Sequence, residues 1–224
     1  MNKLKLILTF SLTLTIGHLY SQGLEIELSG GPTLTSLRGN DDIENNYDRT
    51  NNFSTGLGIN YLYKGKSILN IRFLYDRKGA VGESYIVLRD EQNQVIGEGV
   101  VINKSTFEYI TMPIQWGQRF GKKVKYQFGV GFYTGFLLKQ EQTSEGLNGL
   151  VNSNEDNTDS FKKLDFGLSA SFSAFFPVKD LFLIKIGLED NLGLVNTSDV
   201  PVKNDGTIKH NSLGISVGLS FRVN

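Results

Sequence analysis

Few residues in this chain have the types and spacing for chemistry. His210 and Ser212, separated by Asn211, could set an imidazole beside a hydroxyl, the arrangement that activates a serine nucleophile when an acid orients the histidine. Downstream of Ser212 the only charged side chain is Arg222, so no acid follows in that strand. The other histidine, His18, falls in the N-terminal apolar segment. Gly129, Gly131 and Gly135 superficially match a glycine-rich phosphate loop, yet they share one parity of an extended run with no helix after it. Their expected role is to leave room inside the fold. Two acidic clusters, Asp41, Asp42, Glu44 and Asp48, and Glu155, Asp156 and Asp159, could offer oxygen ligands to calcium or to cations bridging lipopolysaccharide. Neither has EF-hand spacing, and the expectation is solvated, mobile loop. The chain has no cysteine, and no cofactor or metal is expected. Its 23 basic and 23 acidic residues balance, which removes the electrostatic case for nucleic acid as a partner.

The elements that would position these residues begin with an export signal. Lys3 and Lys5 precede an uncharged apolar run from Leu6 to Ile16, then a polar exit at Tyr20, Ser21 and Gln22. The run is too short for a membrane-spanning helix, which takes roughly 20 apolar residues. Cleavage is expected just after Ser21, although Leu19 is large for the position three residues before the cut. This divides the chain into a signal peptide (1–21) and a single mature domain (22–224). Without cysteine that domain is neither disulfide-stapled nor a lipoprotein acylated on cysteine.

Beyond Leu24 the hydrophobic period is two. In the last segment Leu213, Ile215, Val217, Leu219, Phe221 and Val223 share one face, and Ser212, Gly214, Ser216, Gly218, Ser220 and Arg222 the other. The pattern recurs around Tyr126–Phe136, Leu164–Phe176 and Phe182–Leu188, where Phe175 is a bulky intruder on the polar parity. It is noisier around Leu24–Leu28, Phe53–Tyr63, Leu69–Tyr75 and Ile110–Trp116. These segments predict an all-β fold, an eight-stranded antiparallel up-and-down transmembrane β-barrel with strands of roughly ten residues. Tight turns at Lys64–Lys66, Gly121–Lys123 and Pro177–Asp180 would face the periplasm. Long polar segments at Thr35–Asn52, Ala80–Asn103, Lys139–Phe161 and Asn196–Lys209 would lie outside the cell.

On this reading the polar parity fills the lumen with a charge network: Glu25, Glu27, Arg72, Asp76, Arg119, Lys125, Asp165, Lys185, Glu189 and Arg222. Eight strands leave room for side chains only, so no wide aqueous channel is predicted. Aromatic residues on the apolar parity beside the short turns, Tyr63, Trp116, Phe120, Tyr126, Phe176 and Phe182, would form a periplasmic girdle. A soluble lipocalin-like binder is the alternative architecture, and the girdle and charged lumen argue against it.

Several motifs taken in order carry a family resemblance. Tyr75-Asp76-Arg77-Lys78-Gly79, Tyr109 to Pro113, the run Gly129, Gly131, Tyr133 and Gly135, and Asp165 with Gly167 are similar to the strand motifs of a Bacteroidetes outer-membrane β-barrel family described as porin-family or PorT-like. The resemblance spans nearly the whole mature chain, and the Ser-Gln signal exit fits it. It implies residence in the outer membrane, with outer-membrane lipid and the barrel-insertion machinery as partners. A PorT-like role would add envelope or secretion proteins. The His210-Asn211-Ser212 triplet also resembles that of outer-membrane lipid A deacylases, themselves eight-stranded barrels, but lacks their acid. No enzymatic activity is expected.

Overall fold

The computed structural model of the protein describes residues 23–64 and 66–223, so the expected signal peptide and its cleavage site lie outside the described residues. Nine strands and one short α-helix follow in order among the described residues, with three single-turn 3-10 segments in the loops: β1 (Leu24–Arg38), α1 (Asp41–Asn46), β2 (Asp48–Tyr63), β3 (Ser67–Arg89), β4 (Val95–Phe120), β5 (Lys125–Gly146), β6 (Val151–Asp156), β7 (Leu164–Lys179), β8 (Phe182–Gly193) and β9 (Lys209–Val223). All pairings are antiparallel. The sheet order β4-β3-β2-β1-β9-β8-β7-β5 closes on itself through β4 and β5, giving an eight-stranded ring with β6 attached to the upper part of β5. Closure leaves no edge within the ring, as membrane crossing by strands requires. Among the described residues no helix is long and apolar enough to cross a membrane.

Side-chain alternation decides which face of the ring is which. Ile26 lies opposite Ile59 and Phe221, and Leu28 opposite Leu57 and Leu219, so cross-strand neighbours continue one apolar surface around the barrel. That surface is the exposed one: Leu28, Leu57, Phe73, Trp116, Val130 and Leu168 are all more than half exposed, while Glu25, Glu27, Asn60, Arg72 and Asp165 on the opposite parity are buried. The distribution is inverted relative to a protein folded in water, and it fits hydrocarbon outside and a polar interior.

Three expectations are corrected. The strands run well past ten residues, because segments anticipated as loops continue the ladders. Ala80–Asn103 is mostly a β3–β4 hairpin closed at Asp90–Gln94, and Lys139–Phe161 contains the end of β5 and all of β6. Their polarity hid them, since strands above the membrane have no apolar solvent to match. The cluster Asp41, Asp42 and Glu44 forms the first turn of α1, where acids favour the helix N-terminus and the Asn40 side chain accepts from Ile43 N. The third short turn is also tighter than expected, as β7 runs through Pro177 to Lys179 and leaves Asp180 and Leu181 before β8.

Candidate functional site: a sealed lumen and its two mouths

The lumen is built by the inward parity of every ring strand. Arg72 on β3 forms a bidentate pair with Glu189 on β8, and those strands are four apart in either direction around the eight-membered ring. The pair therefore spans the barrel. Arg72 Nε donates to Asn70 Oδ1 at 3.0 Å, and Asn70 Nδ2 to Asn60 Oδ1 at 2.8 Å, which fixes the guanidinium plane. Gly58 makes space for it: a Cβ there would sit 2.6 Å from Arg72 Cγ. Beside this pair, Lys185 Nζ meets Glu27 Oε1 at 2.7 Å, and Ser29 Oγ donates to the same oxygen at 2.8 Å.

Toward the short turns, Glu25 receives Arg119 at 2.7 Å and Arg222 at 3.1 Å. Arg119 also donates to Gln127 Oε1 and lies over the Phe175 ring, with Cζ 4.4 Å from its centroid. The bulky intruder on the polar parity is thus a buried platform for a buried guanidinium. Ile68 and Leu183 are buried at the same end of the ring.

Toward the long loops, Lys78 Nζ lies 2.9 Å from Asp165 Oδ2 and 3.9 Å from Asp76, between the rings of Tyr109 and Tyr133. Tyr133 donates to the same Asp165 oxygen at 3.0 Å, and Thr111 donates to Asp76 at 3.2 Å. Above them the character changes. Leu37, Ile43, Ala80, Phe107, Tyr109 and Leu137 form a buried apolar cluster against which Tyr47, Phe161, Val202 and Ile208 pack. Phe107 meets Phe161 edge to face, with centroids 4.8 Å apart. A cavity of about 320 Å³ opens over this plug toward the loops.

Of the charged residues anticipated inside, Glu25, Glu27, Arg72, Asp76, Arg119, Asp165 and Lys185 are buried, and Glu189 joins them through Arg72. Arg222 is partly exposed at the rim while reaching Glu25. Lys125 stands apart from them and donates to Gly121 O at 2.9 Å in its own turn. The six anticipated girdle aromatics, Tyr63, Trp116, Phe120, Tyr126, Phe176 and Phe182, are all exposed on the outer face. Phe120 and Tyr126 lie 5.8 Å apart, and Tyr126 stacks near Phe172.

Sequence reasoning did not place Lys78, Tyr109 or Phe107 in the lumen; it gave Lys78 and Tyr109 only as family-motif residues, and had Tyr133 on the inward parity without a partner. Lys78 shares the parity of Arg72 and Asp76, so extending that strand two residues would have found it. The nucleophile pair is not assembled. His210 is buried with Nε2 3.2 Å from the Tyr109 hydroxyl and 3.3 Å from Thr197 Oγ1, and its Nδ1 has no partner. Ser212 instead lines a small cavity with Thr33, Asp76 and Asn191 beside the Arg72–Glu189 pair. Both residues are buried inside the ring, away from lipid. Among the described residues no group of three His, Cys, Asp or Glu is placed to hold a metal ion.

In the loops, the Asp156 carboxylate accepts from both the hydroxyl and the backbone N–H of Thr158, at 2.6 and 3.0 Å. These bonds hold its pKa below the ordinary aspartate range.

A closed antiparallel ring with an apolar exterior, a paired polar interior and turns of two very different lengths defines an integral outer-membrane β-barrel. The chain belongs to the outer membrane protein beta-barrel domain family, whose model matches residues 20–199, and it resides in the cell outer membrane. No curated protein matches the sequence. Among solved structures the chain is similar to Neisserial surface protein A, with 12% identity, 89% of this chain and 97% of that one covered, and a TM-score of 0.43. It is similar to Ail, the attachment invasion locus protein of Yersinia pestis, at 13% identity, with 88% and 98% covered and a TM-score of 0.40. It is also similar to the Escherichia coli outer membrane protease OmpT at 10% identity, with 90% and 97% covered and a TM-score of 0.44.

Proposed function

We propose that this barrel is a non-conducting membrane anchor that works through its extracellular end. The observation that carries this reading is the Arg72–Glu189 pair across the ring, with Lys185–Glu27 beside it, Arg119–Glu25 at one end and the Phe107 plug at the other. A solute path would have to strip those charges of their partners, which costs several kcal/mol per ion. What remains available to a partner is the loop end: the β3–β4 hairpin, β6, α1 and the cavity over the plug. Assisting a secretion system, as the PorT-like resemblance implies, is the finer form of this reading, with envelope or secretion proteins as the partners engaged there. Maturation by removal of residues 1–21 belongs to the same proposal, and N-terminal sequencing of the purified protein checks it.

Planar-bilayer recording tests the central claim. The purified protein is expected to give no steps of porin size, and ohmic conductance of that size would overturn the sealed lumen. Trimming the β3–β4 hairpin between Gly82 and Asn103 should leave the barrel folded, read as heat-modifiable gel migration, because the ring closes below it.

A further inference from the structure

The two ends of the barrel carry opposite charge. Acids outnumber bases at the long-loop end, where Asp41, Glu44, Glu91, Glu155 and Asp159 are exposed and Asp42 and Asp90 half-buried. The short-turn end is the reverse. The β2–β3 turn carries Lys64 and Lys66, the β4–β5 turn Lys122 and Lys123, and the end of β7 Lys179, all exposed; Arg222 stands beside the ends of β1 and β9. Among the described residues of these turns, Asp180 is the one acid, and Glu25 nearby is already taken by two guanidiniums.

The arrangement around the ring says what this charge meets. The three turns and the paired termini fall between successive strand pairs (β2 and β3, β4 and β5, β7 and β8, β9 and β1), so each quarter of the rim holds a cation. A single protein partner would be served by one patch, whereas a collar suits a surrounding annulus. The lysines also stand at the lower border of the apolar belt. Lys64 Nζ lies 5.1 Å from the ring centroid of exposed Tyr63, and Lys66 O accepts from Arg119 N at 2.7 Å, three positions beyond lipid-facing Trp116. At about 3.3 Å per residue, Lys66 is only about 10 Å of strand from that indole.

We propose that this collar binds the headgroups of anionic phospholipids in the periplasmic leaflet of the outer membrane. Each lysine held at such a surface is attracted to it electrostatically, and loses that attraction at high salt.

Trp116 is the sole tryptophan and is 55% exposed on the outer face just above the collar, so it reports the lipid that occupies it. The experiment reconstitutes the full chain in phosphatidylcholine containing either chain-brominated phosphatidylglycerol or chain-brominated phosphatidylcholine, and measures quenching of Trp116. The anionic lipid should be preferred about fivefold. The preference should fall toward parity in 0.5 M salt, taken here as roughly three times physiological, and in the Lys66→Gln, Lys122→Gln, Lys123→Gln variant. Heat-modifiable migration confirms that this variant folds. Equal quenching by both lipids in the native protein would overturn the proposal. So would an anionic preference that survives in the variant, because the selectivity would then arise elsewhere. Parity in the native protein, with a periplasmic acidic protein captured only when the lysines are present, would reassign the collar to that partner and likewise overturn it.

Discussion

The middle of the lumen and its extracellular mouth close the same ring by opposite means. Between β1, β3 and β8 the interior is held by Arg72 with Glu189 and Lys185 with Glu27. Above Lys78 it is held by Leu37, Phe107, Leu137 and their neighbours. Ion pairs have directional, partner-specific geometry but leave a penalty wherever one member is missing. The apolar cluster tolerates exchange of shape more readily and loses only what its own atoms contributed. In a barrel whose outer face is already solvated by lipid, the strand ladders set which strands face each other, the ionic layer ties those opposite walls together, and the plug collects what the loops can bury.

The largest effect should come from breaking one side of the ionic layer. Arg72→Ala is expected to lower unfolding free energy in urea by about 3–5 kcal/mol, because it leaves Glu189 buried and unpaired. Adding Glu189→Leu should recover most of that loss; a double variant as unstable as the single one would show that the charges matter for reasons other than mutual desolvation. In the plug, Phe107→Ala should cost about 3 kcal/mol through lost contacts and a cavity, measured in the same assay. Bilayer conductance should stay absent, since the Arg72–Glu189 pair still lies beneath. A channel opened by Phe107→Ala alone would mean the plug is the seal. The smallest effect sharpens the contrast between buried and exposed carboxylates. The Asp156 carboxyl titrates below the ordinary aspartate value of about 4, so the bonds from Thr158 are fully present above that value and are lost as pH falls through the lowered one. The Thr158 amide shift in NMR should therefore titrate below that ordinary value, and Asp156→Asn should abolish the transition.

Much of the ring was legible because the membrane imposes a two-residue period on every strand that crosses it. Leu213 to Val223 and Tyr126 to Phe136 could be assigned to faces residue by residue. Above the membrane that constraint ends. Val151–Asp156 has the composition of a loop and is a strand because the end of β5 offers it a ladder, a pairing across the chain that local composition does not encode. The same blindness cut β3 short and hid Lys78. The partnership of Tyr109 with His210 was also out of reach, since β4 and β9 lie on opposite sides of the ring and only closure brings those side chains to 3.2 Å.

Beyond Val81, the last β3 residue paired with β2, the strand continues to Arg89 on β4, with β5 and β6 flanking β4 only as far as Val101, so the crest is four-stranded at its base and a two-stranded hairpin above it. That is about 25 Å of extra reach at strand rise. A loose loop of the same length would fold back over the rim, whereas a laddered hairpin holds its tip clear of it. The crest stands off the barrel axis, and its Asp90–Gln94 tip is held to one side of the barrel, at a height set by the β3–β4 ladder.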